Sequence, residues 1–292
     1  FANSRTASIV SVVELFLGGM GYLFQADICG YAISGRMAIF AIMIALWLAN
    51  IAMTRRVALL RSKFLVPYLI FFAFLAIGLA NAVLRKNGLS GIFFDFNAYI
   101  FFAYLPIWYE FLSGDETWGR LWSAAAASFA WLAAKTMLVL YFFSHNMEWA
   151  VWPLYHWVRN TGVGEITLMV SNIFRVFFQS QIYSLLGLSM LAAVLVLHRD
   201  KLNTLEKKLL IIFMSLGSAV VLISLSRSFW LGAAVCLPII FVFALIKKIS
   251  VLRLLGRATL GLLALCLGFM LIVAVVKFPI PRPGAGSLGA ML

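Results

Sequence analysis

The sequence predicts an all-α polytopic membrane protein. We expect about nine transmembrane helices with one long outer-face loop, forming a single helical domain over residues 1–292. Three observations lead there. Hydrophobic residues make up 64% of the chain and charged residues 11%, against about 45–50% and about 25% in soluble domains. Mean hydropathy is +1.03. The apolar runs are continuous for about 18–22 residues, the length a helix needs to cross about 30 Å of hydrocarbon; barrel strands would instead alternate over about 10 residues. These features exclude a soluble enzyme, a disordered tail and a collagen-like fibre.

The expected spans are 8–25, 35–53, 64–84, 95–112, 121–143, 179–198, 209–226, 229–246 and 259–278. The fourth is short and contains Pro106. The seventh and eighth are separated only by Arg227 and Ser228. One unbroken helix over 209–246 would be roughly 57 Å long, too long for a single crossing. The first run lacks a small-residue cleavage site and is expected to remain as a span.

Orientation follows from lysine and arginine, which favour cytoplasmic loops. Arg55, Arg56, Arg61 and Lys63 lie in 54–63; Arg199, Lys201, Lys207 and Lys208 in 199–208; Lys247, Lys248, Arg253 and Arg257 in 247–258. Nine alternating spans put all three loops on one side, the cytoplasm, and Arg5 and Arg120 agree. The net charge of +13 therefore reads as a topological signal, and no nucleic-acid partner is expected. Segments 26–34, 85–94, 144–178, the Arg227 corner and 279–292 fall on the outer side. The 144–178 loop is rich in Trp and Tyr, which favour the membrane interface; one or two short interfacial helices are expected there. Cys29, Cys236 and Cys266 are widely spaced and read as small apolar fillers.

Several chemistries have no residues to carry them. There is no phosphate-cradling G-x-x-x-x-G-K-[ST] loop, no zinc-type cluster of Cys and His, and no ladder of arginines within a span. No metal site is expected. What stands out is a set of outer-side cations that opposes the positive-inside bias: Arg36, Arg159, Arg175, Arg227, Lys277 and Arg282. Arginine offers a planar fork of donors suited to phosphate and pyrophosphate. For Arg36, Arg159, Lys277 and Arg282, snorkelling to lipid phosphates is the favoured account. Arg227 is different, because Ser224, Ser226 and Ser228 surround it where apolar helix would be cheaper to insert. Lys135 is the one charge well inside a span, at a cost of about 2.5–3.5 kcal/mol. It should face the bundle interior, with Glu14 and Glu110 as candidate partners. His145 and His156 in the long loop read as interfacial or solvated histidines, although either could act as a base near neutral pH.

The stretch Leu225-Ser226-Arg227-Ser228-Phe229-Trp230-Leu231-Gly232 resembles the Ser-Arg-x-x-Trp-x-Gly signature of the O-antigen ligase/polymerase superfamily. Ile173-Phe174-Arg175, followed by Gln179-Ser180-Gln181-Ile182-Tyr183, is similar to the family's arginine just ahead of a span. The resemblance is specific over about residues 170–250 and loose elsewhere. It implies a metal-independent, inverting glycosyltransferase of the bacterial inner (cytoplasmic) membrane, working without a cofactor. Such an enzyme takes a glycan from undecaprenyl pyrophosphate at the outer face, amid membrane lipid, and passes it to a glycan or lipid acceptor: lipid A–core in ligases, the growing polysaccharide in polymerases. The resemblance implies that Arg227 and Arg175 hold the pyrophosphate, with Ser226, Arg159 and Lys135 in possible support. It implies a catalytic His in a large outer loop following the last span seen here, so the general base is expected beyond Leu292. The chain starts at Phe1 and ends in the Pro/Gly-rich stretch Pro279–Gly289; a fragment of a longer protein, or a non-catalytic relative, is expected.

Two other classes fit the composition. A transporter or flippase of a lipid-linked or anionic substrate would favour broken helices and internal repeats; no repeat is visible, and Pro106 and Lys135 are its only hints. A non-enzymatic membrane subunit is the third. A large outer loop with Arg and His beyond Leu292 would separate the enzyme from both.

Overall fold

The structure is a computed structural model that describes residues 2–17, 25–28, 31–88, 91–92, 96, 99–112, 115–170 and 173–280. Among the described residues, ten α-helices and two antiparallel strand pairs run in the order α1 (Ala2–Leu17), β1 (Gln25–Ile28), β2 (Tyr31–Ser34), α2 (Gly35–Thr54), α3 (Leu65–Leu84), α4 (Tyr104–Phe111), α5 (Asp115–Ser144), α6 (Glu148–Thr161), β3 (Gly164–Val170), β4 (Ile173–Phe178), α7 (Gln181–Leu197), α8 (Thr204–Ser224), α9 (Arg227–Ile246) and α10 (Val251–Val276). The protein is helical and membrane-like.

Among the described residues, six helical stretches are long and apolar enough to cross a membrane: Gly35–Thr54, Leu65–Leu84, Trp118–Ser144, Thr204–Ser224, Arg227–Ile246 and Val251–Val276. That is fewer than the nine spans expected. The span expected at 179–198 is the 17-residue helix α7, about 26 Å long. The span expected at 8–25 is helical to Leu17, and 18–24 lie outside the described residues. The span expected at 95–112 holds a short 3-10 turn, Phe101–Ala103, and the eight-residue α4; 93–95 and 97–98 lie outside the described residues. The apolar surface needs lipid or protein to cover it: α3 has no buried residue, and Phe74 and Leu84 on it are largely exposed. In water such a helix would forfeit its main stabilisation.

The chain divides into two compact units, Phe1–Val12 with Phe24–Ala124, and Val13–Leu23 with Ala125–Leu292. In the first, Phe40 and Met43 of α2 pack on Tyr104, Ile107 and Phe111 of α4. Glu110 ties the following basic loop to this core. Its Oε2 accepts from the Ala58 N–H at 2.8 Å and its Oε1 from Asn50 Nδ2 at 3.5 Å. Trp108 Nε1 donates to Ser11 Oγ at 2.9 Å, so the indole N–H is not left dry.

The second unit is built around α8. Gly268 of α10 lies so close to α8 that a Cβ there would sit 2.6 Å from the Ser215 carbonyl oxygen and 2.9 Å from the Ala219 nitrogen. Small residues allow this close approach, which is how helices associate where lipid supplies no hydrophobic drive. At the far end of the same bundle, buried Arg257 donates to the Val196 carbonyl and to Asp200 Oδ2, the latter at 2.6 Å. That closes the C-terminus of α7 and anchors the basic loop after it.

The second half of the long loop departs from expectation. Its first half is one helix, α6, as expected. Gly164–Val170 and Ile173–Phe178 pair as antiparallel strands rather than forming a second helix, with Ile166 opposite Val176 and Thr167 opposite Arg175. The reason is periodicity of two: Phe174, Val176 and Phe178 point to the core while Arg175 and Phe177 share the other face. The break between α8 and α9 also differs. Leu225 adopts φ 45° and ends α8, and extended Ser226 precedes α9. Arg227 and Ser228 are therefore the first turn of α9, not the turn itself.

A substitution series tests the α8–α10 crossing. Gly268→Ala should lower Tm in detergent, at a cost of about 1–3 kcal/mol, because backbone rather than a mobile side chain meets the new methyl. Gly78→Ala, with nothing within 4 Å, should be neutral or stabilising. Equal effects would show that the crossing can relax.

Candidate functional site

Strand pairing builds the site. Arg175 lies directly opposite Thr167 and diagonally across from Glu165, within reach of a long side chain. Its Nη1 donates to Glu165 Oε2 at 2.9 Å, and Thr167 Oγ1 donates to Glu165 Oε1 at 3.2 Å. The guanidinium carbon lies 5.3 Å from the centre of the Phe177 ring, two residues along the same face. Nε donates to the Ser224 carbonyl at 2.8 Å. Ser224 is the last residue of α8, so this carbonyl is one of those a helix end leaves without an intrahelical partner. A cation there also meets the negative end of the helix dipole.

Three residues further on, Arg227 opens α9. Its side chain is exposed and has no hydrogen-bond or ion-pair partner among the described residues. The serines around it are occupied with the corner. Ser224 Oγ donates to the Val221 carbonyl at 2.7 Å and accepts from the Ser226 N–H at 3.3 Å. Ser226 and Ser228 hydroxyls are 2.9 Å apart. Ser226 makes no side-chain cap on α9, and its carbonyl accepts from the Phe229 and Trp230 N–H groups, so the N–H groups of Arg227 and Ser228 are the ones left for a ligand. A helix N-terminus with a free arginine on it, next to an arginine anchored at a helix C-terminus, is suited to phosphate oxygens.

The structure thus brings Arg175, Ser226 and Arg227 to one corner of the second unit. Arg159 is engaged with its own helix, Nη1 donating to the Tyr155 hydroxyl at 3.1 Å. Lys135 Nζ donates to the Leu17 carbonyl at 3.0 Å and lies 4.2 Å over the Phe178 ring. A backbone oxygen and an aromatic face are therefore among its partners. Arg282 lies outside the described residues, as do 281–292 generally.

Two groups escaped the sequence reading. Glu165 was passed over because no helical or motif pattern includes it; the alternation of 164–178 as a strand was the available signal. His145, read as interfacial, is only 4% exposed. Its Nδ1 faces the Tyr141 carbonyl at 2.9 Å and its Nε2 the Phe278 carbonyl at 2.7 Å. Tyr141 OH donates to the Ile280 carbonyl at 2.5 Å. Together they tie the exit of α10 to the end of α5. No group of three His, Cys, Asp or Glu side chains gathers to hold a metal among the described residues.

Compared with known proteins, the chain matches no family model, no curated protein and no solved structure.

The anchoring role of Arg175 can be measured. Arg175→Gln removes a charged donor from the Ser224 carbonyl, worth about 1.5 kcal/mol. Amide hydrogen exchange over 164–178 should quicken roughly tenfold. Unchanged exchange would mean that the apolar face alone holds the hairpin.

Proposed function

We propose that this chain belongs to a membrane glycosyltransferase of the O-antigen ligase/polymerase kind. It would transfer a glycan from undecaprenyl pyrophosphate to lipid A–core or to a growing polysaccharide, at the outer face of the bacterial inner membrane. The observation that carries the reading is the Arg175–Ser224 hydrogen bond. It joins the two arginine segments singled out by the resemblance, which are 52 positions apart in sequence (227 minus 175), at one helix corner.

The chemistry is a displacement at the anomeric carbon. The acceptor oxygen forms a bond to that carbon, the bond to the pyrophosphate oxygen breaks, and the acceptor proton passes to a base. Negative charge grows on the leaving pyrophosphate. Arg227, Arg175 and the N–H groups of Arg227 and Ser228 would stabilise it, and fixed donors need no reorganisation as that charge develops. The resemblance puts the base in an outer loop after α10, which the ties from His145 and Tyr141 to residues 278–280 would help to aim. In this reading the segments 8–25, 95–112 and 179–198 complete the nine crossings, and the basic loops 54–63, 199–208 and 247–258 face the cytoplasm.

A transporter or flippase is the competing reading, and Lys135 is its main support. The contacts of Lys135 with the Leu17 carbonyl and the Phe178 ring give this cation a packing role that needs no cargo.

Arg227→Ala should reduce glycan transfer from undecaprenyl-pyrophosphate glycan by about 10²–10³-fold at normal membrane insertion, the usual loss for one transition-state donor. Arg227→Lys should recover only part of it, having lost the planar fork. Wild-type rates in the alanine variant would remove Arg227 from the mechanism. Absence of transfer by the wild type, with flipping of the lipid-linked glycan, would favour transport.

A further inference from the structure

Glu165 stands where an anion-binding site would least want a carboxylate. Its side chain is 53% exposed, whereas that of Arg175 is 24% exposed. One carboxylate oxygen holds Arg175 Nη1 and the other accepts from Thr167 Oγ1. The anchor of Arg175 does not depend on it: Nε is held by the Ser224 carbonyl and the guanidinium lies over Phe177. The ion pair therefore occupies Nη1, while Nε is the nitrogen held by the anchor. Counting Arg175, Arg227 and Glu165, the corner carries a net charge of +1 while the pair is closed and presents two unopposed cations once Glu165 swings out.

We propose that Glu165 is a displaceable counter-ion that occupies Arg175 in the empty site and is exchanged for a phosphate group of the ligand. This rests on the reading of the corner as a pyrophosphate site. Glu165 then acts as a selectivity filter. A ligand with two linked phosphates can engage Arg227 with one and dislodge Glu165 with the other, whereas an isolated phosphate has only one set of contacts with which to compete. Thr167 keeps the carboxylate in its paired position. The sign of the effect separates this role from simple positioning. A residue that orients Arg175 weakens binding when removed. A counter-ion that blocks Arg175 tightens it, because the apparent affinity is the intrinsic one reduced by the fraction of open sites.

The test is binding of inorganic pyrophosphate to the full chain in phosphatidylcholine nanodiscs, followed by calorimetry, with Tm recorded for each variant. Glu165→Gln should bind about two- to fivefold tighter, the range expected for a partly exposed ion pair. Thr167→Val keeps the carboxylate but frees it, and should shift affinity in the same direction by less; it serves if the glutamine variant folds poorly. In an Arg175→Ala background the gain from Glu165→Gln should disappear. Weaker or unchanged binding in both Glu165→Gln and Thr167→Val, with binding still lost in Arg227→Ala, would overturn the counter-ion role and leave the pyrophosphate site standing. No pyrophosphate binding by the wild type or any variant would overturn both.

Discussion

A helix that ends inside an apolar bundle exposes carbonyl groups that lipid cannot satisfy, and the second unit is organised around solving that problem at Ser224. The break after α8 is abrupt, with Leu225 at φ 45°, a conformation that costs a non-glycine residue about 1–2 kcal/mol. The guanidinium of Arg175 meets the Ser224 carbonyl. The corner that exposes Arg227 and the hairpin that carries Arg175 are thus mutually dependent. The bond that satisfies the helix end is also the one that assembles the candidate site.

The hairpin reaches that position because its other face is apolar. Val151 and Val158 of α6, Phe143 and Leu140 of α5, and Ile223 of α8 share one core with Phe174, Val176 and Phe178. Phe143 and Phe174 rings meet edge-on at 5.4 Å. Packing on one face and charge on the other follow from the two-residue period of a strand. In a helix, Arg175 would not share a face with Phe177 while excluding Phe174 and Val176. Structure of this kind at the end of a helical bundle turns sequence-distant residues into one surface with little flexibility, as a preorganised electrostatic site requires.

Glycine plays the matching part within the bundle. Phe129 of α5 is buried between α7 and α8 because Gly187 and Gly217 leave room for its ring, and a Cβ at either would come within 2.8 Å of it. Gly268 brings α10 against the backbone of α8. The outer surfaces of the same helices carry large exposed apolar side chains such as Leu231, Leu252 and Met270. Glycines set the closest helix contacts, and large apolar side chains cover the outer surface as well as the core, where a soluble domain would place more polar groups outside.

Composition and run length were enough to specify a helical membrane protein, because the bilayer imposes its thickness and its intolerance of unpaired backbone directly on the sequence. The cost of charge on an apolar chain was enough to set Arg227 apart, while Arg175 stood out only with the family resemblance. Composition and run length did not locate the helix break to the residue: a left-handed Leu225 has no composition signal, as a glycine there would have had. Nor did they separate strand from helix in 164–178, where short apolar runs suit either and the packing of Phe174, Val176 and Phe178 decides. The pairing of Glu165 with Arg175, the burial of His145 and the meeting of Arg175 with Ser224 belong to tertiary structure alone. Each depends on which groups remain unpaired once the helices have packed, and that is settled by geometry across the fold rather than by neighbours along the chain.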